Sequence, residues 1–188
     1  MTETSENLIN RICKVTEEFR GAFSDLSAKQ LNWKPAPDMW SVAQCIDHLI
    51  TTNEAYFEKI EKAAGDEFRN NAWSRIPFWS GLVGYLIKRA VDPANRKKTK
   101  TFPVFQPSSS EVADSIFEDF GDCQEKLMEY IRKTDHLDRR KVKIGSPVSD
   151  KVTLSLADAF EILVIHERRH YQQAVEVTEL EDFPQAGG

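Results

Sequence analysis

Apolar residues recur along this chain every three to four positions. Leu8, Ile9, Ile12, Val15 and Phe19 repeat at that spacing with charged residues between them, which predicts a helix over about Glu6 to Ala22. Ser27, with Gln30 three residues on, is a capping signal, and the two prolines of LNWKPAPDMW mark a connection. Ser41 is the N-cap of a second helix to about Ala64, striped by Val42, Ile46, Leu49, Ile50, Tyr56, Phe57 and Ile60. A short helix follows around Trp79 to Ala90 and is broken by Asp92-Pro93; RKKTKTFPVFQPSSS then reads as an extended loop. A third long helix is expected from about Ser110 to Lys133, with Val112, Ile116, Phe117, Phe120, Leu127 and Ile131 inward. After a charged loop holding Gly145 and Pro147, Val148 to Thr153 is expected to be extended. A last helix runs from about Ser155 to Glu179, and DFPQAGG reads as a tail. Four long helical patterns and almost no alternating ones predict an all-α fold. The expectation is a four-helix bundle with a long, partly helical insertion between helices two and three, in one domain over 1–188.

Length and charge narrow this picture only a little. At 188 residues the chain can build a full core without disulfides or a structural metal. Hydrophobic residues make up 40% and charged residues 29%, the balance of a soluble globule. A net charge of −5 argues against a general nucleic-acid binder. MTETSENLIN shows neither a basic start nor an apolar run, and the longest apolar stretch, Ile76 to Ile87, is too short to cross a bilayer. Cys13, Cys45 and Cys123 are too scattered for a disulfide framework, so a cytoplasmic protein with reduced thiols is expected. The acidic total hides a basic segment. Lys88, Arg89, Arg96, Lys97, Lys98 and Lys100 stand against the single acid Asp92, as a solvated loop or as a collector of an anionic co-substrate.

The candidate chemistry lies in LVIHERRHYQQ. His166 and His170 are four apart on a predicted helix and so share one side of it. Relative to the apolar centre set by Leu156, Phe160, Leu163 and Ala174, His170 lies roughly 40° and His166 roughly 80° away, so both flank the buried stripe. Two imidazoles in this arrangement can hold one first-row metal ion, which then needs a further ligand. His48, on the side of Ser41, Cys45 and Thr52, is the candidate, and His136 in KTDHLDRRK reads as solvated. Gln173, Cys45 and Thr52 are pocket candidates beside these ligands. Glu167 lies roughly 20° from the apolar centre, where a carboxylate is buried and must be paired. It is a candidate to support a histidine from behind, to act as a base, or to form an inter-helix salt bridge. Trp73, Phe78 and Trp79 are candidates for a pocket wall or a dimer surface.

HERRH also matches H-E-x-x-H, the zinc-protease signature. The longer form of that signature wants Gly where Gln173 stands and His where Glu176 stands, and the chain shows no sheet to align a peptide. A different likeness runs through the whole chain. PDMWSVAQCIDHLI resembles the start of helix two in the DinB-like (DinB/YfiT) superfamily, and HERRHYQQ resembles its final helix. FPVFQPS is similar to its loop before helix three, and LSAKQLNWKPAP to its connection before the tryptophan motif. Gly65 to Ala94 matches none of these motifs. The resemblance implies a four-helix bundle with one metal held by three histidines, here His48, His166 and His170, and a homodimer. It implies a divalent ion (zinc, nickel, iron or manganese) and a small-molecule substrate. The activity implied is transfer of a low-molecular-weight thiol to an electrophile, with a small-substrate hydrolase as the alternative. A stress-response module that binds metal without catalysis is the competing reading.

Overall fold

The computed structural model describes residues 4–65, 68–70, 72–95, 97, 100–109, 111–113 and 115–185. The described chain is mostly helical, with helices α1 (Ser5–Phe23), α2 (Ala28–Leu31), α3 (Val42–Ala64), α4 (Trp79–Val91), α5 (Ile116–Lys133) and α6 (Leu156–Thr178). Ser27 and Ser41 are caps as expected from the sequence. Ser27 with Gln30 and Ser41 with Gln44 each form a reciprocal capping box, and the Ser155 hydroxyl accepts from the Asp158 amide. The four long helices α1, α3, α5 and α6 pack on one another, α3 and α1 each against both α5 and α6. Their stripes meet in a core that includes Ile12, Phe19, Ile46, Leu49, Ile60, Phe120, Leu127 and Phe160, all buried.

A buried polar chain crosses this core with one residue from each long helix. Asn53 Nδ2 on α3 donates to Glu167 Oε1 on α6 at 3.0 Å and to Gln124 Oε1 on α5 at 3.3 Å. Gln124 Nε2 in turn donates to Thr16 Oγ1 on α1 at 3.1 Å. Amides and carboxylates in an apolar interior are tolerated only when partnered in this way, so the chain specifies how the four helices sit against one another.

The all-α expectation holds in outline, and three details differ from what the sequence suggested. The fold is not purely helical: β1 (Lys143–Ser146) and β2 (Ser149–Ser155) form an antiparallel hairpin, with Ile144 opposite Leu154 and an irregularity between Gly145 and Ser146. Val148 to Thr153 falls largely in β2, but β1 was hidden in a charged segment. Only Ile144 of its four residues is a large apolar side chain, too few for a visible alternation. The third long helix begins at Ile116; the expected start, Ser110, lies outside the described residues. Val112 is held out of that helix by the Asn32 side chain, which accepts from the Val112 amide at 2.8 Å and donates to its carbonyl at 3.1 Å. The C-terminal segment is not a free tail as far as it is described. Phe183 is buried edge-on against Trp33, and Gln30 Nε2 donates to the Pro184 carbonyl at 2.9 Å.

The insertion between α3 and α5 is built around α4. Trp79 Nε1 donates to the Lys151 carbonyl at 2.9 Å, and the hydroxyls of Ser80 and Thr153 are 3.0 Å apart, which docks α4 on β2. Lys88 Nζ bridges Asp158 at 2.8 Å and Glu161 at 3.1 Å on α6. The helices approach closely because Gly84 lies against Asp158: a Cβ there would meet Asp158 Oδ2 at 2.8 Å. Gly84→Ala is therefore expected to lower stability by about 1–2 kcal/mol through overpacking, despite alanine's better helix propensity. Gly81→Ala, with nothing within 4 Å among the described residues, should raise the stability of the single chain by about 0.5–1 kcal/mol. Urea unfolding of the two variants side by side checks this contrast.

Candidate metal centre

The three histidines come together. His166 Nε2 lies 3.2 Å from His48 Nε2 and 2.9 Å from His170 Nε2, and one ligand atom from each of the three lies within 4.8 Å of the others. His48 and His170 are buried, and His166 is half-buried, so the cluster has one side nearer to solvent. Four-residue spacing on α6 places His166 and His170 one turn apart. His48 reaches them from α3, seven residues beyond the Ser41 cap.

The orientation of His48 is fixed from behind. Its Nδ1 donates to the carbonyl oxygen of Phe105 in a short hydrogen bond, which leaves the Nε2 lone pair facing the other two rings. The segment that supplies this carbonyl is laced to the first turns of α3. Ser108 donates to the Asp47 carboxylate from its amide at 2.6 Å and from its hydroxyl at 2.9 Å. Gln44 Nε2 donates to the Ser109 carbonyl at 3.2 Å. Trp40 covers the cluster, its ring 4.7 Å from that of His48 and stacked 5.7 Å from that of His170.

The donor set fits a metal ion. His166 Nε2 faces both other Nε2 atoms, and a single ring nitrogen cannot donate one proton and also accept in the same plane. Three converging lone pairs are satisfied together by one cation. With metal–nitrogen bonds of about 2.0–2.1 Å, tetrahedral ligands sit about 3.3 Å apart, close to the separations found. Burial holds His48 down to about 4, against the upward pull of the Phe105 hydrogen bond and Asp47. Burial, neighbouring imidazoles and the Arg169 guanidinium hold His166 and His170 well below the usual histidine range. All three rings are therefore neutral at pH 7, the form that ligates.

The remaining candidates fall elsewhere. Glu167 is wholly buried, and burial raises it to about 7 against the pull of Asn53, Gln124 and Arg11. Its Oε1 bonds Asn53 and its Oε2 meets no hydrogen-bond partner among the described residues, so the support expected from it for a histidine comes instead from the Phe105 carbonyl. Gln173 is half-buried, three residues beyond His170, and its side chain bears on that ring. Thr52 is buried, with its hydroxyl unpartnered among the described residues. Cys45 is in the apolar core with Phe19, Ile46 and Leu49, and burial pushes its thiol far above the ordinary range. Cys123 is raised to about 12 by burial and the charge of Glu167. Cys13 is exposed. A disulfide reagent should accordingly modify one thiol per native chain rapidly, and all three only after denaturation. His136 is exposed, as expected.

Four contributors escaped the sequence reading: Asp47, Gln44, Asn53 and Arg169. Asn53 had a visible signal, since it interrupts the stripe of Ile46, Leu49, Ile50, Tyr56, Phe57 and Ile60 and must be paired there. Arg169 had none. Its guanidinium donates to the carbonyls of Ala90 (3.4 Å), Asp92 (3.0 Å), Asn95 (2.5 Å) and Lys97 (3.3 Å). It thereby fastens the basic segment by its backbone beside His166 and His170 and leaves the side chains of Arg89, Lys97 and Lys100 exposed. Arg96 and Lys98 of that segment lie outside the described residues.

No curated protein and no solved structure gives a significant match to this chain. The family profile of the DinB superfamily matches residues 12–174, a span that runs from α1 through all three histidines. The chain belongs to the DinB superfamily.

Proposed function

We propose that this protein is a metal-dependent enzyme that transfers a low-molecular-weight thiol to a small electrophilic substrate. In this reading α1, α3, α5 and α6 form the family's four-helix bundle in a cytoplasmic homodimer. His48, His166 and His170 hold one divalent ion: zinc, nickel, iron or manganese. The carrying observation is the convergence of three neutral Nε2 atoms with His48 locked from behind by the Phe105 carbonyl. An ion held by three neutral imidazoles keeps its full charge and an open position, and so acidifies a thiol or water that enters it. The chain's own groups then have simple tasks. Trp40 and the segment from Phe105 to Ser109 hold the rings and exclude water on the buried side. Half-buried His166 marks the side from which substrate enters. The thiol proton passes to solvent, and the sulfur lone pair forms the new bond to the electrophilic carbon, whose leaving group departs with its own pair.

One observation favours thiol transfer over hydrolysis. Hydrolysis is helped by a carboxylate that passes the proton of the bound water on to the leaving group, and Glu167, the carboxylate beside the ligands on α6, is bonded to Asn53 in the core instead. A thiol acidified at the centre needs no such carboxylate. The test is an assay of the metal-loaded chain with cellular thiols and a model haloarene electrophile. Thiol consumption should exceed the uncatalysed rate at least tenfold and vanish in His166→Ala. Turnover of esters or amides without thiol consumption would move the protein to the hydrolases. Retention of metal with no turnover of either kind would make it a non-catalytic stress-response module.

A further inference from the structure

Helix α4 is apolar on both sides. Its inner side, with Ser80, Val83 and Gly84, packs on β2 and α6. Its outer side carries Phe78, Leu82, Tyr85 and Leu86, which are 93%, 51%, 56% and 54% exposed, and Ile76 beside them is 44% exposed. The first charge on that side is Arg89. A helix that is apolar all round is covered in the assembled protein. Phe78 is also the one described non-glycine residue with positive φ, at 62°, a conformation costly for a bulky side chain, and it displays its ring to solvent.

We infer that this face of α4 binds the same face of a second copy of the chain. The inference rests on the homodimer of the reading above and not on its metal. Two observations choose the occupant. At roughly 200 Å² for a whole large side chain, the exposed fractions leave about 600 Å² of apolar surface per copy. A two-fold pair therefore hides about 1,200 Å², the lower edge of a stable specific interface. The second observation is Gly81. It lies in the middle of α4, costs helix stability, and has nothing within 4 Å, so no contact among the described residues explains it. A bare backbone position on an apolar helix face lets another helix come close. In an antiparallel two-fold pair, Leu82 meets Leu86 of the second copy and Gly81 receives the Tyr85 ring of the second copy. Phe78 then lies beside Arg89 of the second copy, a favourable guanidinium–ring contact. The exposed Arg75, Arg89, Lys97 and Lys100 would also suit an anionic lipid surface, but lipid gives no reason for a glycine there.

The test is the mass of the full chain in solution, by sedimentation across a concentration series. The wild type should show twice the 21.5 kDa of one chain. Leu82→Glu/Leu86→Glu should weaken the dimer at least a hundredfold, and Gly81→Gln at least tenfold. Both variants should keep the wild-type circular dichroism and metal content, since all three positions face outward. A double variant that still dimerises would place the interface elsewhere and overturn this assignment while sparing the homodimer. A wild type that stays monomeric overturns both, and metal content then judges the enzyme reading separately. Monomeric wild type that cosediments with vesicles containing phosphatidylglycerol, an ability lost in the double variant, would overturn the second copy in favour of a lipid surface.

Discussion

Alanine at His48, His166 or His170 will remove one-to-one metal binding. The wild type, purified without a nickel column, should carry about one divalent ion per chain by elemental analysis. Each variant should bind at least a hundredfold more weakly. Groups that merely orient a ligand already account for ten- to a hundredfold in affinity, and a ligand itself accounts for more. The three variants should fold, because removing a ring also removes the crowding of Nε2 atoms 2.9 and 3.2 Å apart. Retention of stoichiometric metal in all three would show that the ion sits elsewhere. The His48 variant carries a second readout: its loss frees the Phe105 carbonyl, so the segment from Phe105 to Ser109 should exchange amide hydrogens faster. His166→Ala should leave that segment protected.

Asn53→Ala should lower the unfolding free energy by about 3 kcal/mol, and the melting temperature by roughly 6–12 °C. The substitution removes the donor that Glu167 and Gln124 share and leaves a fully buried carboxyl group without its Asn53 hydrogen bond. The cost comes from the orphaned partners more than from the lost bonds, which gives the prediction an internal control. Adding Glu167→Leu to Asn53→Ala should recover part of the loss, because an apolar pair needs no hydrogen bonds. A double variant less stable than Asn53→Ala alone would show that Glu167 stabilises the core by some other contact.

Much of the helical framework was legible because it depends on neighbours in sequence. Ser41 caps α3 within one turn, and the stripe from Val42 to Ile60 follows from helical period alone. The same arithmetic put His166 and His170 on one side of α6 and drew His48 toward a cavity. The hairpin was less legible, since β1 owes its shape to pairing with β2 and to the burial of Ile144 and Leu154. Val112 was misread for a similar reason: its helical spacing is overridden by Asn32, eighty positions away in the chain. Glu167 was rightly expected inside, but the wheel that buries it cannot tell whether a histidine or Asn53 meets it there.

By itself the sequence determined the helical segments, their caps, the pairing of His166 with His170, and, through its motifs, the family. These rest on local period and order, which a linear string carries in full. The tertiary structure decided which atoms face one another. It set His48 Nε2 against His166, chose the Phe105 carbonyl to orient it, and drew Asn53, Gln124, Thr16 and Glu167 into one chain across four helices. It also left the outer face of α4 uncovered. Contacts between distant residues form only when the helices have docked, and their geometry depends on the packing of the whole core and not on spacing along the chain.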